Sequence, residues 1–306
     1  MSSQATVLFD APGPKARRRN LIVGVVGVGL LIGALAWILY RFDQTGQFSR
    51  RKWEVFEYTR VQNMIVDGLW ATLKAFALAV VGSLILGALL AAGRLSEHRA
   101  VRWASTAFVT FFRAMPLLIL IFFLYLAPAN LDHWPGFLEF INDDPLWPLV
   151  IGLTIYNGTV QAETMRAGIL ALPKGQSEAA YAIGMRKTQV MASILVPQGI
   201  RAMLPSIISQ MVVTLKDTSL GFMITYPELL YVAKLLGSNQ DFEFPFIPVA
   251  IVIGSVYIVI CMLLSFLAVW VERKLSRGRK GRPPQIDAPV GGTITPKPDA
   301  HLEVSV

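Results

Sequence analysis

The run Lys216-Asp217-Thr218-Ser219 sets a cation, an anion and two hydroxyls side by side in an otherwise apolar stretch. Ionisable groups inside a bilayer are costly and by default mark function. A lysine can bind a carboxylate and an aspartate an ammonium, so the pair suits a small solute that carries both groups. The run lies roughly 15 residues, or about 22 Å of helix, beyond Gly199 and so well inside the hydrocarbon. Adjacent helical residues point about 100° apart, so Lys216 and Asp217 cannot both face one partner. The hydroxyls of Thr218 and Ser219 can satisfy backbone carbonyls where a helix breaks. A broken helix lining an aqueous cavity accounts for all four residues; a satisfied buried network between helices does so too.

Other charges share this apolar setting. Glu163 and Arg166 are i, i+3 neighbours able to pair on one helix face. A structural ion pair near the inner surface is the plainer reading, a gate contact to a partner the sharper one. Arg113 precedes Pro116, which should kink its helix and free a carbonyl. It can attract an anionic solute or pair with a carboxylate on a partner subunit, and both stay open. Arg201 and Lys74 sit near span ends, where long side chains snorkel to water. Nothing here suggests covalent chemistry. His98, His133 and His301 all fall outside the apolar runs, neither H-E-x-x-H nor G-x-S-x-G occurs, and no catalytic or metal-ligating set is expected. Cys261 stands alone, so no intrachain disulfide can form.

These residues must be positioned by membrane helices. Hydrophobic residues make up 54% of the 306, and charged residues only 16%, where a soluble domain carries roughly 25%. Six runs approach the about 20 residues needed to cross hydrocarbon: 21–40, 69–93, 104–128, 146–170, 199–226 and 247–271. The first follows Arg17-Arg18-Arg19 as a signal peptide would. It is too long for the usual apolar region of roughly 7–15 residues and lacks a small-x-small cleavage site, so it reads as a retained helix. With both termini inside, the inner segments hold 17 Lys and Arg and the outer loops six, and those outer loops hold 11 of the 20 acidic residues. The net charge of +8 is therefore a topology signal rather than a nucleic-acid footprint. Residues 1–20 read as a cytoplasmic tail, 41–68 as an outer connection, 69–275 as one core, and the proline-rich 276–306 as a disordered cytoplasmic tail.

The inner segment 173–198 has an internal pattern of its own. Pro173 closes the fourth span, good helix formers run from Gln176 to Tyr181, and Glu178 near their start suits a positive helix end. Gly184 permits a left-handed turn. A second short helix carrying Arg186 and Lys187 follows, and Pro197 resets the backbone for the next span. The product is a bent helix pair at the membrane face, with Ala179, Ala180 and Ala182 allowing close approach by another protein. An ordinary interfacial helix is the alternative.

Glu178-Ala179-Ala180, Gly184, Ile194 and Pro197 resemble the EAA loop of ABC-importer permeases, with Val196 where leucine is usual. Gly68-Leu69-Trp70-x-Thr72-Leu73, Arg113 with Pro116-Leu117-Leu118, Ala162-Glu163 with Arg166, and Lys216-Asp217-Thr218-Ser219-Leu220 resemble the polar amino-acid subfamily. Ala114, Met115 and Val160 depart from it. Ile208-Ser209-Gln210 through Tyr226-Pro227-Glu228-Leu229-Leu230 looks most like the glutamate-uptake permeases.

The resemblance implies an all-α polytopic fold, a five-helix permease core plus one N-terminal transmembrane helix. It implies ATPase coupling through Glu178, Ala179, Ala180, Gly184 and Arg186, on a helix that sits in a cleft of the ATPase. Lys216, Asp217, Thr218, Ser219 and Arg113 become substrate-path candidates, and Glu163, Arg166, Pro116 and Pro197 structural or gating ones. The expected partners are a second permease (a paralogue rather than a second copy), two ATPases, an extracytoplasmic substrate-binding protein, an amino acid and membrane lipid. The chain lacks the phosphate-cradling G-x-x-x-x-G-K-[ST] pattern, so ATP and Mg belong to the ATPase and this chain is not an enzyme. A secondary transporter or channel is the alternative, opposed by the docking-type loop and the lack of an inverted repeat.

Overall fold

The computed structural model describes residues 13–130 and 140–276. Among these the chain is helical and has no strand. The helices are α1 Pro14–Gln44, α2 Arg50–Trp53, α3 Thr59–Leu95, α4 Arg99–Ala114, α5 Leu117–Asn130, α6 Phe140–Asp143, α7 Leu146–Leu170, α8 Lys174–Ala182, α9 Lys187–Val190, α10 Val196–Asp217, α11 Leu229–Gly237 and α12 Phe246–Ser276.

Among the described residues four helical stretches are long and apolar enough to cross a membrane: Pro14–Gln44, Thr59–Leu95, Lys187–Ile224 and Phe246–Leu267. The pair α4 and α5 makes a fifth, bent by 99° at its break. The bend follows from Pro116. The residue before a proline is pushed out of the helical region, and Met115 is extended at φ −81°, ψ 132°. The third expected span is therefore two helices, a larger disruption than a kink.

Helix α7 has the bounds expected of the fourth span but is not among the helices apolar enough to cross a membrane by themselves. It is the centre of the domain, packed by α3, α4, α5 and α10. Its closest partner is α3, and the reason is a stripe of small side chains. Gly68, Thr72, Ala75, Ala79, Ser83, Gly87 and Ala91 are buried along one α3 face, where Gly68 and Thr72 meet α11 and Gly87 meets α7. Without a hydrophobic force between helices in lipid, small residues provide the close approach that packing needs. A Cβ on Gly87 would stand 2.8 Å from the Gln161 side chain and 3.1 Å from the Gly158 carbonyl oxygen.

Several boundaries differ from expectation. The α3 helix starts at Thr59, so ten residues assigned to the outer connection are helical, and α2 occupies more of it. Helix α1 starts at Pro14 and takes in the arginine cluster assigned to the tail, and it buries none of its residues. The remainder of that tail and the expected disordered segment, apart from Ser276, lie outside the described residues.

Candidate functional site

The segment after α7 folds as the bent helix pair. Helix α8 ends where the Gly184 amide donates to the Tyr181 carbonyl (2.9 Å) and the Met185 amide to the Ala180 carbonyl (3.2 Å). This double closure needs a left-handed residue just past the helix, and Gly184 supplies it at φ +83°. The Gln189 side chain then accepts the Arg186 amide (2.8 Å) and starts α9. Glu178, Ala179, Ala182, Gly184 and Arg186 are all exposed. So is Ile183, at 79%, a tip residue that pattern reading passed over. Ala180 is 3% exposed and faces its own chain, so it is not part of the outward surface. Glu178 lies mid-helix, because α8 begins at Lys174, and the helix-end argument for its carboxylate falls away.

Pro197 does not reset the backbone. The helical path from Lys187 to Asp217 is continuous, and Met191–Leu195 forms a π-turn directly ahead of the proline. A proline ring clashes with the carbonyl four residues back and removes a hydrogen bond there; a wide turn at that place relieves both.

The second feature is an arginine cluster around Glu163. Arg166 Nη2 lies 3.1 Å from one carboxylate oxygen, Arg113 Nη1 lies 3.6 Å from the other, and Arg94 hydrogen-bonds that same oxygen. The expected Glu163–Arg166 pair is present. Arg113 meets a carboxylate of its own chain and stays 44% exposed. Arg94, at the end of α3, was not singled out by the sequence.

The third feature is the helix break. α10 ends at Asp217, a 3-10 turn runs over Thr218–Ile224, and Thr225 is left-handed at φ 61°. The Thr218 hydroxyl donates to the Leu215 carbonyl (2.6 Å) and that of Ser219 to the Lys216 carbonyl (2.7 Å). Lys216 and Ser219 line a groove of about 700 Å³ shared with Tyr257 of α12. Asp217 turns inward beside Asn157, and Thr218 is fully buried. The candidate path residues are thus split: two in the groove, two turned inside, and Arg113 in the Glu163 cluster.

What holds the break is Glu228, fully buried. It caps α11 by accepting the Leu230 and Tyr231 amides (both 2.8 Å) and the Tyr257 hydroxyl (2.7 Å). The Leu229 amide donates to Thr72 Oγ1 (3.2 Å) and the Tyr226 hydroxyl to the Ala71 carbonyl (2.9 Å), tying the same corner to α3. Glu228→Gln keeps the shape but turns one acceptor into a donor. It should cost about 1–2 kcal/mol, read as a lower unfolding midpoint of the purified protein in detergent.

Residues 83–277 match the family described as binding-protein-dependent transport system inner membrane component. The chain belongs to this family. It is a multi-pass membrane permease subunit of an ABC importer and not itself an enzyme. The permease is 40% identical over 236 residues to the glutamate transport system permease protein GluD of Corynebacterium glutamicum, covering 76% of this chain and 83% of that one. It is 33% identical over 216 residues to the glutamate/aspartate import permease protein GltK of Escherichia coli, covering 69% and 92%. A crystal structure of an amino acid ABC transporter with histidines superposes with TM-score 0.62 at 25% identity, covering 72% of this chain and 97% of that one. The resemblance to polar amino-acid permeases therefore holds. Membership implies a separate ATPase and a substrate-binding protein.

Proposed function

We propose that this permease forms half of the import path for a polar amino acid, glutamate in the first instance. The other half is a paralogous permease, and two ATPases dock on the paired α8–α9 loops. Both termini then lie in the cytoplasm and an external binding protein delivers the substrate. The observation that carries the coupling role is the exposed helix pair pivoting on Gly184, with Glu178, Ala179, Ala182, Ile183 and Arg186 around it. Closure of the ATPases on ATP would push this pair and, through the continuous Lys187–Asp217 path, reach the break at Lys216–Ser219. The glutamate reading is supported by the names of GluD and GltK. Relatives named for glutamine and L-cystine also match, at 31% and 32% identity.

Lys216 and Ser219, facing the groove, are the path residues in this reading. Asp217 and Thr218 act behind them, and Arg113 serves the Glu163 cluster. Co-expression with the ATPase, the second permease and the binding protein should give ATP-dependent uptake of labelled glutamate. Uptake of another amino acid in preference would overturn the substrate. Uptake driven by an ion gradient without the ATPase would overturn the class of mechanism proposed here.

A further inference from the structure

A second cavity, of about 440 Å³, lies where α3, α4 and α7 meet the coupling loop. Five cationic side chains line it: Arg94, Arg102, Arg166, Lys174 and Lys187. No carboxylate does. Among the described residues only Glu163, which holds Arg94 and Arg166, and Glu97, 3.0 Å from Lys187, offset them. Glu163 is shared with Arg113 as well. Arg102 and Lys174 make no ion pair among the described residues, and Arg102 donates only to the Ser96 carbonyl (3.0 Å). The Nε of Arg166 is buried without a partner there.

Most of the remaining wall is apolar, with Leu172 and Leu195 among its residues, and Ser96, Ser177 and Tyr181 add hydroxyls. Lys174, Ser177 and Tyr181 reach the cavity from one face of α8, at i, i+3 and i+7, while Ala179 and Ala182 point elsewhere. An ATPase seated on the outward face would leave this side to the membrane surface. Cations beside apolar side chains at the ends of membrane helices match a phosphate ester that carries acyl chains. Basic pockets of this kind between helices on the cytoplasmic side take anionic lipid headgroups.

We infer that this cavity binds the phosphate headgroup of an anionic phospholipid, wedged between the α3 and α7 ends and the coupling helix. The lipid would neutralise the surplus charge and brace the loop against the spans. Free inorganic phosphate offers the same anion without the chains, and the test separates the two.

The intact importer, reconstituted in phosphatidylcholine nanodiscs containing a photoactivatable phosphatidylglycerol, is irradiated and digested, and the labelled peptides are mapped by mass spectrometry. Label should concentrate on 94–102 and 169–195 and resist added inorganic phosphate. A cation at an anionic membrane surface is worth about five-fold in affinity, so Arg102→Gln and Lys174→Gln should each lower this labelling by about five-fold. Label spread evenly around the helices, or unchanged in both variants, would overturn the site. Displacement by inorganic phosphate alone would overturn the lipid. Seating of the cavity against the ATPase would appear as crosslinks to that subunit in place of lipid and would also overturn it. The wild-type map decides even if a variant assembles poorly. Because labelling is read without transport, it stands apart from the uptake experiment.

Discussion

An importer carrying Gly184→Val should assemble, yet take up substrate at least about ten-fold more slowly per ATP hydrolysed. Gly184 holds φ +83°, and a Cβ built there meets nothing within 4 Å. The penalty is therefore carried by the backbone and not by a clash. An L-residue in the left-handed region costs roughly 1–2 kcal/mol, and a β-branched one is a still poorer fit. Since 1.4 kcal/mol is about a factor of ten, valine shifts most of the population out of this turn. The Met185-to-Ala180 hydrogen bond is then lost. Arg186 and α9 swing relative to Glu178, and a partner shaped to the pair meets only half of it. Gly184→Asn is the control, because asparagine visits the left-handed region routinely, and it should keep most of the coupled transport. Uptake and hydrolysis measured side by side in proteoliposomes check both variants. If valine and asparagine behave alike, the turn is not what transmits the force.

The features that were legible in the sequence are those that local chemistry determines. Helix α7 has its predicted ends because Pro145 and the loop before Lys174 bound an uninterrupted helical stretch. Pro116 breaks its span because proline acts on its own neighbours. The bent pair follows from Gly184, and the hydroxyl backing at Thr218 and Ser219 needs only four residues of helix. What stayed hidden depends on distant partners. Arg94 is 69 residues from Glu163, and no spacing rule joins them. Glu228 stands in the sequence only as part of the glutamate-type run, and Tyr257, 29 residues on, closes over it. The start of α3 was missed for another reason. Residues 59–68 are polar enough to end an apolar run, yet a helix does not stop where hydropathy does. A signal for the α3–α7 contact did exist in the small residues at four-residue intervals from Ala75 to Ala91. Their periodicity was masked by the uniform apolarity of the stretch.

Glu163→Gln should be the most damaging single neutralisation in the spans. The native cluster balances three guanidinium groups against one carboxylate, and the substitution removes the only negative charge in it. Removing one partner of a buried ion pair costs about 3–5 kcal/mol because the other charge stays behind. Here Arg94 is 12% exposed, Arg166 31% and Arg113 44%, so water screens part of the cost. A loss of about 2–3 kcal/mol is expected after that discount. It should appear as a lower unfolding midpoint in detergent, with reduced recovery of the assembled complex. The cluster joins the end of α3, the end of α4 before the Met115 break, and the last two turns of α7 ahead of the α8–α9 pair. Repulsion there therefore acts on the elements that link the loop to the spans. A second substitution distinguishes repulsion from lost packing. Adding Arg94→Met to Glu163→Gln removes the most buried surplus charge while keeping an unbranched apolar stem. It should restore about half of the lost stability, since a neutral set of similar volume is often tolerated. Damage that adds up in the double variant would mean that Glu163 acts through its shape and not its charge.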